Sequence, residues 1–182
     1  MCIRDRSAAC LLAENNSSRG TAPECTAAGQ DDEIAVRKGD RMPGQPTHSL
    51  KLGLSWRTTD WLRLGADVQA FSGQYVRGNE NNQHQSGTFT DALGNTRTFD
   101  GPGKTPGYAI LNLNGEARLG AGWQLFAKLN NLFDKRYATA GALAENPFAG
   151  GGFQINSDNW RRETFVAPGA PRAAWLGIRY LW

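Results

Sequence analysis

Five stretches of this chain alternate between apolar and polar or small side chains, and a period of two belongs to a β-strand with unlike faces. In SLKLGLSWR, Leu50, Leu52, Leu54 and Trp56 share one face, opposite Ser49, Lys51, Gly53, Ser55 and Arg57. WLRLGADVQA sets Leu62, Leu64, Ala66, Val68 and Ala70 against Trp61, Arg63, Gly65, Asp67 and Gln69. AILNLNGEARL sets Ala109, Leu111, Leu113, Gly115, Ala117 and Leu119 against Ile110, Asn112, Asn114, Glu116 and Arg118. WQLFAKLN and AWLGIRYLW repeat the design, with Trp123, Leu125, Ala127 and Leu129 in one, and Ala174, Leu176, Ile178, Tyr180 and Trp182 in the other.

The connections alternate as well. About three residues (TTD) join the first two runs, and GAG at 120–122 joins the third to the fourth. Roughly thirty residues separate the second from the third, and more than thirty separate the fourth from the fifth. Loops longer than about 15 residues are uncommon in compact soluble domains, whereas short turns at one end and long loops at the other are the habit of outer-membrane barrels. Length agrees: eleven residues at about 3.3 Å span roughly 36 Å, and a tilt near 40° leaves about 28 Å of height, against an apolar band of about 25 Å. Trp56, Trp123, Tyr180 and Trp182 all fall on the apolar face at the short-turn end. Interfacial girdles of Trp and Tyr form at such a level because the ring is apolar at one edge and hydrogen-bonds at the other.

Alternation alone also fits a soluble β-sandwich, whose core would line one face of each strand. Two features favour lipid. Lone charges (Lys51, Arg63, Asp67, Glu116, Lys128) stand in mid-strand on the polar face, as a watery lumen permits, and each apolar face runs the whole strand to end in aromatics. The pattern therefore predicts an all-β antiparallel meander, five strands of an incomplete transmembrane β-barrel with long extracellular loops.

Composition narrows the partners. With 182 residues the chain is one domain or part of a larger one, and 20 basic against 17 acidic residues leave only +3, spread singly, so no nucleic-acid partner is expected. No stretch approaches about 18 apolar residues, which excludes a transmembrane helix but not spanning strands, whose lumen-facing half keeps the mean hydropathy at −0.52. The cysteines, Cys2, Cys10 and Cys25, show no C-x-x-C spacing, and with only His48 and His84 elsewhere no metal site is expected. They are free thiols or an oxidised Cys10–Cys25 loop, the latter requiring an oxidising compartment. The start, MCIRDRSAACLLAENNSSRG, carries only a four-residue apolar run and is no signal peptide. MCIRDR is similar to an artefact at the start of metagenome-derived gene predictions, so the expectation is an incomplete gene.

LNNLFDKRYAT at 129–139, followed by PGAPRAAWLGIRYLW at 168–182, resembles the end of a TonB-dependent outer-membrane receptor. In that family an N-L-F-D-[KR]-x-Y element closes a strand at the extracellular rim, and Asn131, Leu132, Phe133, Asp134, Lys135 and Tyr137 match it. PGQPTHSLKLGL at 43–54 and SGQYVRGNENN at 72–82 also resemble the family's late strands and loops, so the likeness covers about residues 42–182. Gly177, Tyr180 and Trp182 fit the terminal glycine-x-x-aromatic-x-aromatic signal read by the barrel-assembly machinery, with Trp in place of the commoner Phe. By the resemblance, residues 1–46 are loop or a damaged N-terminal end on the extracellular side, and 47–182 are part of a roughly 22-stranded barrel with strands at about 47–58, 61–76, 107–119, 123–133 and 171–182.

The resemblance implies energy-coupled uptake of a scarce nutrient such as a ferric siderophore, haem or cobalamin, in the outer membrane of a Gram-negative bacterium. The partners implied are outer-membrane lipid, the assembly machinery, a metal-chelate or cobalamin-type ligand, and the TonB energy-transducing complex, which would act on a plug not found in this sequence. No cofactor is implied. The rim motif is expected to be structural. Ligand contacts are expected in 77–106, from Arg77, His84 and the amide-rich run Asn79, Asn81, Asn82, Gln83 and Gln85, and in 138–168, from Trp160, Arg161 and Arg162, flanked by Phe153 and Phe165. Guanidinium and indole groups together suit an anionic aromatic chelate. Two other readings stay open: another barrel, such as a porin or an autotransporter end, which an upstream plug would rule out, and a soluble carbohydrate-binding sandwich, which solubility without detergent would favour. No enzyme is expected, because the serines are scattered, the two histidines isolated and the carboxylates unpaired. Five strands leave two unpaired edges and an apolar face, so the isolated chain is expected to be insoluble.

Overall fold

A computed structural model describes residues 9–25, 32–90, 94 and 96–182; Cys2, the MCIRDR start and Asp31 lie outside these. In chain order the strands are β1 (Ala9–Leu12), β2 (Glu33–Val36), β3 (Ser49–Arg57), β4 (Leu62–Phe71), β5 (Gln74–Tyr75), β6 (Gly87–Thr90), β7 (Thr96–Asp100), β8 (Lys104–Thr105), β9 (Tyr108–Gly120), β10 (Trp123–Asn130), β11 (Ala138–Asn146), β12 (Arg161–Pro168) and β13 (Ala173–Tyr180). They fall into two units: the first comprises 1–45, 74–105 and 138–167, the second 46–73, 106–137 and 168–182.

The second unit is one antiparallel sheet in the order β13-β10-β9-β4-β3, built from the five alternating runs. Leu50, Leu52, Leu54 and Trp56 pair with Ala70, Val68, Ala66 and Leu64, so the apolar faces are continuous across the ladder. That face has no cover within the unit: Leu54 is 70% exposed and Leu176 73%. A sandwich would bury these side chains against a second sheet; lipid covers them in a barrel.

The sheet is staggered. Along the hydrogen-bonded row Trp56 aligns with Leu64, Gly115 and then Ala127, four residues from Trp123. Four residues are about 13 Å along a strand, against about 14 Å across three strand spacings. Trp56 and Trp123 therefore share one level when the strands tilt by about 43°, within the barrel range. Trp123 faces Tyr180 in register with ring centroids 4.8 Å apart, and Tyr180 reaches Trp182 at 6.4 Å. The short-turn end therefore carries an aromatic cluster. There Gly120, Ala121 and Gly122 all take positive φ, a conformation glycine adopts without penalty. At Gly122 a Cβ would collide with the Leu181 carbonyl.

On the polar face Asp67 accepts from Asn112 Nδ2 at 2.9 Å and from Gln69 Nε2 at 3.1 Å. Asn112 Oδ1 in turn accepts the Asn131 N–H at 2.9 Å. Asn131 (φ 50°) breaks the extended backbone and ends β10 at Asn130, short of the expected 133. Its Oδ1 accepts the Lys135 N–H at 2.9 Å, while Nδ2 donates to the Lys135 carbonyl at 2.9 Å and the Ala170 carbonyl at 3.1 Å. Asp134 (φ 51°) accepts the Arg172 N–H at 2.9 Å. Tyr137 lies 4.3 Å from the Tyr108 ring and over Gly169, where a Cβ would strike it. Phe133 is exposed and the Leu132 N–H donates to the Leu111 carbonyl at 2.8 Å. The rim element is thus a hydrogen-bonded turn joining the end of β10 to the approach of β13. Gly177 also has a packing role: it pairs with Phe126, whose ring occupies the space a Cβ would need.

The first unit departs from the expectation of loop. Within 1–46, β1 and β2 form an antiparallel hairpin, and Cys10 and Cys25 are disulfide-bonded. The two long connections hold β5–β8, β11 and β12. The second run, expected to reach residue 76, ends at Phe71, and Gln74–Tyr75 pairs separately with β8.

A mixed core holds this unit, with Ile34, Val76 and Phe99 buried alongside Asn16, Asn79 and His84. Asn16 donates to the Gly78 carbonyl at 2.8 Å and to Asn81 Oδ1 at 3.2 Å. Asn79 donates to the Gly103 carbonyl at 3.0 Å and accepts the His84 N–H at 3.0 Å. His84 is 5% exposed; its Nδ1 accepts the Ser17 N–H at 3.1 Å and its ring meets Phe99 edge-on. Burial pushes its pKa below the ordinary 6.5, and the backbone of Gly101 opposes this more weakly. With the folded value depressed, neither state carries the extra proton well above pH 6.5, and the unfolded chain takes it up first as pH falls below 6.5. Stability contributed by His84 is then lost progressively towards the folded pKa. Acidification below pH 6.5 should lower the protection factor of the Ser17 amide, its exchange measured against the intrinsic rate at each pH, in the wild type, and H84Q should abolish that loss. Equal profiles for the two proteins would contradict it.

Candidate ligand pocket

β7 and β12 pair in parallel, placing Arg162 opposite Phe99 and Glu163 opposite Asp100. This register joins the two long connections around a cavity of about 680 Å³ lined by Thr96, Arg97, Thr98, Asp100, Asn159, Trp160, Arg161 and Arg162. The β6–β7 hairpin that carries one wall is fastened by paired hydroxyls, Thr88 to Thr98 at 3.1 Å and Thr90 to Thr96 at 3.2 Å.

The cationic side chains are held to different degrees. Arg162 donates through Nη2 to Glu145 at 2.8 Å, and its guanidinium lies 6.0 Å from the Phe99 ring centre. Its Nε is buried and has no partner. Arg161 is 3.8 Å from Asp100 and both are largely exposed, a pair worth little and easily given up to another anion. Trp160 donates its Nε1–H to the Gln154 carbonyl at 2.8 Å, which fixes the indole plane. Three arginines and a tryptophan with a fixed indole therefore line a cavity whose one acidic lining residue is Asp100. Such an arrangement binds anions through charge-assisted hydrogen bonds and flat rings by stacking.

Trp160, Arg161 and Arg162, singled out in the sequence, meet in this cavity; Arg77 and His84 do not line it. Arg77 acts through its backbone, its N–H donating to the Gly141 carbonyl at 3.0 Å and its carbonyl accepting the Leu143 N–H at 2.8 Å. His84, Asn79 and Asn81 are buried in the internal network instead of facing a ligand. Arg97 and Asp100 were missed, since TRTFD gives no sign that it will pair with a strand some sixty residues away.

Residues 19–132 match the family model for the TonB dependent receptor-like β-barrel. The chain belongs to this family. Its five-stranded sheet is a stretch of a TonB-dependent receptor barrel, and the family consists of outer-membrane transport receptors rather than enzymes. Among solved structures the chain is similar to the siderophore receptor PiuA from Acinetobacter baumannii, at 14% identity and TM-score 0.51, over 85% of this chain and 16% of that one. It is also similar to the ferric-catecholate import receptor Fiu from E. coli K12 in its open form (19% identity, TM-score 0.49, 80% of this chain and 16% of that one). A third is the ferric yersiniabactin uptake receptor FyuA from Yersinia pestis (17% identity, TM-score 0.49, 80% and 18%). The chain thus spans 16% of the length of PiuA and of Fiu. No curated protein matches it.

Proposed function

We propose that this TonB-dependent receptor barrel serves uptake of a ferric siderophore or a similar anionic chelate, haem and cobalamin-type ligands being the alternatives within the class, and that Arg97, Trp160, Arg161 and Arg162 bind it. The observation that carries the reading is that Arg97, Arg161, Arg162 and the fixed indole of Trp160 belong to the lining of one cavity of about 680 Å³. The named functions of PiuA, Fiu and FyuA support the ligand class. In this reading the sheet is part of a closed barrel in a Gram-negative outer membrane, 47–182 forming barrel strands and their connections and 1–46 lying on the extracellular side. Release into the periplasm is driven by the TonB complex acting on a plug. Gly177, Tyr180 and Trp182 serve barrel assembly, and the rim turn at 131–137 shapes the connection without touching ligand.

The test uses the whole receptor containing this chain, titrated with ferric chelates while tryptophan fluorescence is followed. R97A and R161A should each weaken binding by about tenfold or more, the value of a lost charge-assisted hydrogen bond. W160F should reduce quenching with a smaller loss of affinity. Unchanged affinity in R97A/R161A would remove this cavity from the ligand path.

A further inference from the structure

Cys10 and Cys25 are joined in a disulfide, and the Glu33 carboxylate lies against it: both sulfurs and a carboxylate oxygen are within 4.8 Å of one another. The hairpin register explains the convergence. Cys10 pairs with Ala35, so Glu33, two residues along β2, projects from the same face. Cys25 closes the short 3-10 turn Pro23–Cys25 and is 1% exposed, packed with Ala22 and Ala35. Cys10 is exposed, so a solvent reagent can reach the bond at its sulfur. Glu33 Oε2 is buried and accepts no hydrogen bond, although a buried carboxylate oxygen is costly to leave without a donor or a cation.

We propose that Cys10, Cys25 and Glu33 form a redox-gated site for a thiophilic divalent cation of the zinc class. The disulfide is the closed state. A small-molecule thiol opens it: its thiolate attacks Cys10 Sγ, Cys25 Sγ leaves with the bonding electron pair, and a second thiol resolves the mixed disulfide. Two protein thiols and one small-molecule disulfide result, with the protein reduced by two electrons and the small thiols oxidised. The cation then displaces two protons and takes two thiolates and the Glu33 carboxylate, a set of three protein ligands with water in fourth place that suits tetrahedral zinc. The Cα atoms are 5.6 Å apart, so both sulfurs can reach a single ion once the S–S bond opens. Sequence spacing concealed this site, because its third ligand is a glutamate brought in by strand pairing.

The test uses the full chain in detergent with C2S as background, so that the remaining cysteine plays no part, and a phosphine reductant that competes little for metal. Cadmium is the probe, read by its thiolate charge-transfer absorption. The reduced protein should take up one equivalent, displaceable by zinc, and the oxidised protein none. C10S should abolish the band, and E33Q should weaken binding by about tenfold or more while the band persists. Should reduction expose the first unit to protease, cadmium should restore its protection. No band in the reduced protein, equal affinity in E33Q, or failure of cadmium to restore protection would overturn the proposal.

Discussion

Leu52→Arg should destabilise the receptor barrel by about 2–4 kcal/mol, the cost of a cation on a lipid-facing strand near the bilayer midplane. Leu52 stands near the middle of β3, opposite Val68, and is 59% exposed on the face that holds Leu50, Leu54 and Trp56. No anionic side chain lies on that face of the neighbouring strand, where Ala66, Val68 and Ala70 alternate. Ser55→Arg puts the same group on the other face, where Lys51 and Arg57 already stand, and should change stability by about 0.5 kcal/mol or less. Denaturant unfolding of the assembled receptor from lipid vesicles measures both. Equal costs for the two variants would mean that the faces are not differently solvated.

The second large effect concerns the first unit. Cys25→Ala removes a cross-link between residues separated by 15 in sequence, and loop-closure entropy assigns such a link about 3 kcal/mol. Apolar packing around the hairpin is small: besides Cys25, its buried apolar side chains among the described residues are Ala13, Ala22, Ile34 and Ala35. The remaining ties are polar, including the Arg37–Glu24 ion pair at 2.5 Å, which is largely solvated and contributes little. C25A should therefore make residues 9–36 the first protease-sensitive segment, with the sheet of the second unit unaffected. If C25A and the wild type are cut at the same rate, the polar network holds the hairpin without the disulfide.

The barrel strands were legible in the sequence because lipid and water impose opposite demands on alternate residues. β9 runs Tyr108–Gly120 against the expected 107–119, whereas β4 and β10 end at Phe71 and Asn130 against the expected 76 and 133. At Asn131 a left-handed residue stops the strand although Leu132 and Phe133 continue to look apolar. The first unit was much less legible. Asn79, Asn81 and His84 looked like ligand contacts, yet they are buried and hydrogen-bonded within the protein. A polar side chain carries the same letter whether its partner is a ligand or a neighbouring loop. The parallel pairing of β7 with β12 joins segments far apart in sequence, and β7 has no alternation that would mark it. Trp160, Arg161 and Arg162 were singled out because their residue types suit anions and rings, and they line one cavity; that Arg97 joins that lining became visible only through the pairing.

The central claim is that alternate residues of β3 face lipid and lumen. Spin labels placed one at a time from Leu50 to Ser55 in the receptor, reconstituted in phospholipid vesicles, test it most directly. Collision with oxygen, which concentrates in lipid, should be high at Leu50, Leu52 and Leu54, and collision with a water-soluble nickel complex high at Lys51, Gly53 and Ser55, with a period of two. Uniform accessibility to the nickel complex, or an inverted alternation, would contradict the barrel assignment of this sheet.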